Sequence, residues 1–262
     1  MKRIQYYLVC LFILLLIVLP YRAFALGLEA GIGYWKQNPS GTLEYNPAGT
    51  ATAADTLDLK NDMNLESKTR PFVRVKAELP LFLPNVYFMA TPMSFEGTGA
   101  KNVPFTYGNQ TFNAGVPIQS KIKMDHYDLA LYYTLLDKLT LDKVNLDLGL
   151  DVRAIKFEGT ISGKDLANNP ISASKDLSLY VPMAYVGLRV KPISAFSIEA
   201  EARAIAFGGS HYYDLIGRLK VKPIGPLFIA VGYRSETVKI DTNDVKTDIK
   251  LAGPFAEVGV TF

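Results

Sequence analysis

From Val144 to Ala154 the chain alternates without a break. Val144, Leu146, Leu148, Leu150, Val152 and Ala154 take one set of positions, and Asn145, Asp147, Gly149, Asp151 and Arg153 take the other. A period of two sends successive side chains to opposite faces of a strand. Eleven residues therefore form a ribbon that is wholly apolar on one face and polar on the other, a pattern that no 3.6-residue helix can present. The same rhythm recurs along the chain. Val73, Val75, Ala77 and Leu79 oppose Arg74, Lys76 and Glu78; Tyr127, Leu129, Leu131 and Tyr133 oppose His126, Asp128, Ala130 and Tyr132. Ile198 and the alternate alanines from Ala200 to Ala206 oppose Glu199, Glu201 and Arg203; Leu215, Gly217, Leu219 and Val221 oppose Asp214, Arg218 and Lys220. Leu227, Ile229, Val231 and Tyr233 face away from Ala230, Gly232, Arg234 and Glu236. Segments 85–97 and 175–191 alternate less cleanly.

Ten strands are predicted, over about 27–36, 69–80, 85–97, 120–134, 143–159, 175–191, 196–208, 211–223, 226–240 and 247–262. Eight is the alternative count, with 85–97 the first to be dropped. Most of the segments run past ten residues, whereas strands of soluble domains cluster near five or six. The connections alternate in length. Long or polar segments fall near 37–68, 98–119, 160–174 and 241–246, with short turns between them. An even number of long antiparallel strands, joined by short turns on one side and loops on the other, is the pattern of a transmembrane β-barrel, in which closure satisfies every backbone group in a water-free medium. A lipocalin-like soluble barrel would carry the same period with the apolar face inward. The strand lengths favour the membrane sense, as do the aromatic residues Tyr34, Tyr127, Tyr133, Phe196, Tyr213 and Tyr233 near strand ends.

The first 25 residues stand apart. Lys2 and Arg3 precede an unbroken apolar run from Leu8 to Leu19, and Ala23-Phe24-Ala25 follows. This reads as a secretory signal peptide cleaved after Ala25, since the run is shorter than the roughly 20 residues of a spanning helix. The full chain carries 28 basic and 25 acidic residues. Without Lys2, Arg3 and Arg22 the remainder has 25 of each, which gives no electrostatic basis for binding nucleic acid. The single Cys, Cys10, lies within the apolar run, so the mature chain has no disulfide framework.

The chain closes on alternating Val258 and Val260 and a terminal Phe262. With the signal peptide and the run of strands, this resembles the small outer-membrane barrel proteins of Gram-negative bacteria, a poorly characterised group. The resemblance implies residence in the bacterial outer membrane, contact with its lipid, and recognition of the last strand, with Phe262 as assembly signal, by the barrel-assembly machinery. It implies no particular activity.

With the apolar faces turned to lipid, the charged faces line the lumen. Arg74, Glu78, Asp128, Asp147, Asp151, Arg153, Glu199, Glu201, Arg203, Arg218, Arg234 and Glu257 are the candidates for an ion-pair network there, joined on the same faces by Glu29, Lys76, Arg189, Asp214, Lys220 and Glu236. Acids and bases are nearly balanced, and a ten-stranded barrel is narrow, so a lumen filled by paired charges is expected in place of a wide pore. Pro92 and Pro182 fall inside strands, where a missing N–H demands a bulge, a place where two strands part, or a position beyond the membrane; a lateral opening for a small apolar molecule is the functional alternative. His126, between Asp125 and Asp128, and His211, three residues before Asp214, are placed near the outer rim as candidate carboxylate-oriented bases. The ten-stranded omptin proteases also carry Asp and His there, but the paired motifs of that family are not matched. Asp55, Asp58, Asp62 and Glu66 in the first loop lack a cation-loop spacing. Asn109-Gln110-Thr111 is a chance sequon. The expected protein is a non-enzymatic, cofactor-free outer-membrane barrel with a structural or surface-interacting role; a passive channel and, more remotely, a hydrolase are the alternatives.

Overall fold

The computed structural model describes residues 27–46, 54–80, 82–137, 139–241 and 244–262. The expected signal peptide and Cys10 lie outside these residues. The strands are β1 (Gly27–Tyr45), β2 (Leu57–Asp58), β3 (Lys68–Glu78), β4 (Asn85–Thr91), β5 (Ser94–Gly99), β6 (Phe105–Tyr107), β7 (Gln110–Phe112), β8 (Ile118–Leu135), β9 (Val144–Lys164), β10 (Pro170–Ile193), β11 (Phe196–Phe207), β12 (Ser210–Val221), β13 (Leu227–Asp241) and β14 (Val245–Thr261). Counting β4 and β5 as one interrupted stave, ten antiparallel staves pair in sequence order, and β14 pairs back onto β1 to close the ring. Both termini of the described chain and the short connections at 79–84, 136–143, 194–195 and 222–226 lie at one end. By the rule for such barrels, that end is periplasmic.

The side chains are turned as the lipid-facing reading requires. Leu150 is 73% exposed, whereas its neighbours on the chain, Gly149 apart, alternate with it: Asp151 and Arg153 are fully buried. Ile32, Leu129, Leu131, Leu188, Leu215, Leu219, Ile229, Val231 and Val258 likewise face outward. Tyr34, Tyr127, Tyr180 and Tyr233 stand exposed toward the outer end of this apolar band. Tyr127 and Tyr180 are both in register with Ala154, so one row of the sheet carries two of them.

Beyond that row the same strands reverse their sense. In β9 the outward positions pass from Leu150, Val152 and Ala154 to Lys156, Glu158, Thr160 and Ser162, while buried Ile155 and Ile161 replace Asp151 and Arg153 on the inner face. In β8 the outward Leu129 and Tyr127 give way to Asp125, Lys123 and Lys121, and the inner face turns to Met124, Ile122 and Ile118. A strand in water must hide its apolar residues and a strand in lipid must show them, so the reversal marks the outer boundary of the membrane. The reversal accounts for the poor alternation of 175–191, since Val181 and Leu179 face inward and Val186 and Leu188 outward on one strand. Segment 85–97 is irregular for a different reason: β4 stops at Thr91 and β5 resumes at Ser94.

Past the boundary the ring divides. β11 and β12 end at a two-residue turn, Gly208-Gly209, where both φ values are left-handed, as a tight hairpin requires. β10 pairs with β11 only from Ala184 onward, so its outer part, from Pro170, pairs with β9 alone. Pro182 lies just past that last pairing, where no N–H is demanded of it by β11. On the far side, β3 and β4 share only Val73–Ala77 with Val86–Ala90, and β5 pairs with β8. Pro92 sits at this second parting. Leu65 bridges to Gly97, and Glu66 N–H donates to the Glu96 carbonyl, so the first loop covers the edge of β5. Strand pairing also occupies most of the outer segments read as loops at 160–174 and 241–246: β9 runs to Lys164, β10 starts at Pro170, and β13 and β14 continue to Asp241 and from Val245. Their exposed faces are polar because they stand in water, which from sequence resembles a loop.

Candidate functional site: the lumen lattice and the outer lid

Inside the membrane band the lumen is filled by charged side chains that reach across it. Arg153 on β9 donates to Asp128 on neighbouring β8, to Asp214 on β12 and to Glu236 on β13. Arg234 holds both oxygens of Asp214, at 2.9 and 2.8 Å, and the Thr91 hydroxyl at 2.9 Å. Arg74 on β3 meets Glu201 on β11 at 2.6 Å, where Lys76 also lies at 2.8 Å and the Tyr87 hydroxyl donates at 3.0 Å. Nearer the periplasm, Arg218 on β12 donates to Glu199, Glu257 and Glu29, and Lys220 bonds Glu29 and Glu199, both at 2.7 Å. Because β9 and β13, β3 and β11, and β12 and β1 are not neighbours in the ring, these contacts are struts across the lumen.

Arg203 is held differently. It is fully buried, yet its closest carboxylates, on Asp151, Glu201 and Asp214, each stand 3.7 Å away, outside hydrogen-bond reach. Its support is aromatic, with the guanidinium 4.8 Å from the Tyr87 ring centre and 5.3 Å from that of Tyr185. Tyr212 lies in the same way beside Arg153, and Trp35 beside Arg234. Burying a guanidinium is tolerable only with such dense compensation. Glycines on the inner face make room for it: a Cβ on Gly31 would stand 2.2 Å from Glu257 Oε1.

Besides Arg203, three of the twelve sequence candidates are placed apart from these struts; one is Asp151, fully buried and 3.7 Å from Arg203. Glu78 is at the periplasmic rim, exposed, 3.4 Å from Arg189. Asp147 accepts from the Thr134 hydroxyl at 2.7 Å and, among the described residues, has no cation within ion-pair distance. Glu29, Lys76, Asp214, Lys220 and Glu236, read only as inward-facing, are among the struts.

Of the two histidines expected near the outer rim, only His211 is there, beside the Gly208-Gly209 turn. His126 is fully buried inside the lumen, its Nδ1 3.1 Å from Glu236, with the Tyr212 hydroxyl near. Asp125 points the other way and accepts from the Met93 N–H, and Asp128 is taken by Arg153. His211 lies on the outer face of β12, stacked on Tyr213 at 4.8 Å, while Asp214 faces inward. Three residues apart on a strand means opposite faces, so no His211–Asp214 pair forms.

Above the lattice sits an apolar lid. Leu57, Leu59, Met63 and Leu65 from the first loop and Phe105, Tyr107 and Phe112 from the hairpin β6–β7 pack with Met93, Phe95, Ile118, Ile122, Ile155 and Ile161 into one buried cluster. Phe105 and Phe112 stack face to face at 5.0 Å. The loop carboxylates brace this lid. Asp55 accepts from the Thr106 N–H, Asp58 from the Lys60 and Asn61 N–H groups, and Asp62 from the Asp58 N–H. Among the described residues no group of three or more His, Cys, Asp or Glu is arranged to hold a metal ion.

Sequence reading missed the lid and the membership of His126. The lid had a visible signal, the reversal of sense within β8, β9 and β10. The partner of His126 had none, because Glu236 is 110 residues away in the chain.

A closed antiparallel ring, apolar outside and charged inside over its membrane band, defines an integral outer-membrane β-barrel protein. No protein-family model matches the chain and no curated protein matches it. Among solved structures it is similar to Ail, the attachment invasion locus protein of Yersinia pestis, in complex with the heparin analogue sucrose octasulfate, at 12% identity over 89% of this chain and 99% of that one, with a TM-score of 0.36. It is similar to the translocator domain of autotransporter NalP from Neisseria meningitidis at 10% identity over 93% and 91%, TM-score 0.44. It is similar to the toluene transporter TodX of P. putida at 6% identity over 92% and 91%, TM-score 0.32.

Proposed function

We propose that this protein is a sealed outer-membrane barrel whose role is structural or surface-interacting, with the outer lid and the walls around it as the face offered to the exterior. The observation that carries this reading is the double closure. Struts such as Arg153–Glu236 cross the lumen, and two cavities within the lattice are about 10 Å³ each, room for a water at most. The lid then closes the outer mouth with apolar side chains, which ions do not cross. Single-channel recording in planar bilayers tests it: the purified protein gives no discrete conductance steps, and regular steps would restore the passive channel.

The protein is further read as non-enzymatic. His126 is sealed between the lattice and the lid, and among the described residues His211 has no carboxylate partner. Any peptidase or acyl-hydrolase activity of the preparation is expected to be unchanged in His211→Ala; activity lost with that substitution would overturn the reading. The last strand is the surface proposed to engage the assembly machinery. It pairs on both sides, with the Phe262 N–H donating to the Leu28 carbonyl, and Phe262 stands half exposed at the periplasmic edge.

A further inference from the structure

The periplasmic mouth differs from the rest of the lumen in being open. A cavity of about 270 Å³ lies there, floored by Glu29, Lys76 and Lys220 of the lattice and walled by the ends of β1, β3, β10 and β12. Lys76, Arg189, Lys191, Lys220 and Lys222 line it with Glu29, Glu78 and Asp142, and Glu201 and Glu199 of the lattice stand within ion-pair distance of Lys76 and Lys220.

The partners of these charges can be assigned. Glu29 is taken by Arg218 and Lys220, Glu78 by Arg189, and Asp142 by Lys191 and the Asn145 amide. Lys76 is taken by Glu201. Lys222 has no ion pair among the described residues. Its backbone N–H is anchored to the Ala195 carbonyl at 2.8 Å, across the mouth from β1, and Lys191 is anchored in turn to the Lys143 carbonyl. Partial burial, and then the ammoniums of Lys220 and Lys191, push the Lys222 pKa down. Lys222 is thus the one cation lining the pocket that no carboxylate of the described residues holds at ion-pair distance, and Lys220 and Lys191 stand beside it.

We propose that this mouth is a binding site for a small anion, a phosphate- or carboxylate-bearing molecule entering from the periplasm, with Lys222 as its principal charge partner and Lys191 and Lys220 as flanking donors. The lattice beneath makes it a blind pocket, so the ligand docks and does not pass. The volume suits one compact anion and is below that of a drug-sized site.

Isothermal titration of the full-length protein in zwitterionic detergent at low ionic strength, with inorganic phosphate and separately with citrate, tests the proposal. Saturable one-to-one binding of either is expected; phosphate alone, citrate alone or both would fix the ligand chemistry. Lys222→Gln is expected to weaken it at least about tenfold and Lys222→Arg to keep it within about threefold. Unchanged heat-modifiable migration of both variants shows that the barrel is folded. No saturation by either anion up to about 10 mM, or equal affinity in Lys222→Gln, overturns the proposal. Neither result touches the conductance test, so the site and the sealed lumen stand or fall separately.

Discussion

The membrane half and the outer half of this barrel are built from the same strands and hide opposite chemistry. In the membrane half Leu150 faces out and Arg153 is buried; five residues beyond Leu150, Ile155 is buried and Lys156 faces out. The backbone ladder between β8 and β9 runs through both halves without a change of register. What changes is the solvent on the outer face. Lipid asks for apolar side chains and leaves the interior to the charges, whereas water asks for polar ones and leaves the interior to Ile, Met and Phe. The interiors then close by different means, one by directional struts and the other by packing.

That contrast can be broken from either side. Arg153→Met strands the carboxylates of Asp128, Asp214 and Glu236 in the lumen. Removal of one partner from a buried pair costs about 3–5 kcal/mol, so a markedly lower thermal midpoint of the heat-modifiable band is expected; an unchanged midpoint would mean that the struts do not hold the barrel. Phe112→Ala removes half of the stacked pair in the lid, a loss of about 3–5 kcal/mol for a buried Phe. The effect is expected to be local, with faster proteolysis in 100–117 and an intact barrel band; loss of the band would show that lid and barrel fold as one unit. Placing the boundary comes next. Leu150→Arg puts a charge against lipid, at a cost of about 2–4 kcal/mol near the midplane, whereas Lys156→Arg, on the water side of the reversal, is expected to leave stability within about 0.5 kcal/mol. Equal effects at the two positions in denaturant titration would erase the boundary proposed between them.

The smallest effect is at the outer turn between β9 and β10. The Asn169 backbone and side chain, with help from the Ala167 N–H, hold the Asp165 carboxyl below its ordinary value. A depressed folded pKa gives a contribution that is present above the unfolded value and lost as pH falls through the folded one. The protection factors of the Ala167 and Asn169 amides, taken relative to intrinsic exchange at each pH, are therefore expected to fall in acid, below the usual aspartate range, and to be flat near neutrality. Asp165→Asn should lower them at neutral pH.

Much of the membrane half was legible because it obeys one rule along each strand. Val144 to Ala154 announces a lipid-facing strand without any partner in view, and the ten staves follow from its repetition. The outer half was not, since 160–174 presents Thr160, Ser162, Ser172 and Ser174 to water and hides Ile161 and Ala173, and a short stretch of that kind reads as a polar loop. The irregular 85–97 concealed another lesson: Tyr87 faces inward, not as misplaced hydrophobe but as the ring beside Arg74 and Arg203.

Local alternation, long strands and the balance of acids and bases were enough to specify a barrel with charge inside and hydrocarbon outside, because those depend only on the period of the backbone and on the medium around it. Which acid meets which base, that His126 belongs to Glu236, that Arg203 has three carboxylates at 3.7 Å and hydrogen-bonds none of them, and that Lys222 has no ion pair among the described residues were settled only when the ring closed. Those pairings join positions far apart in the chain, and the curvature of the closed sheet sets their distances.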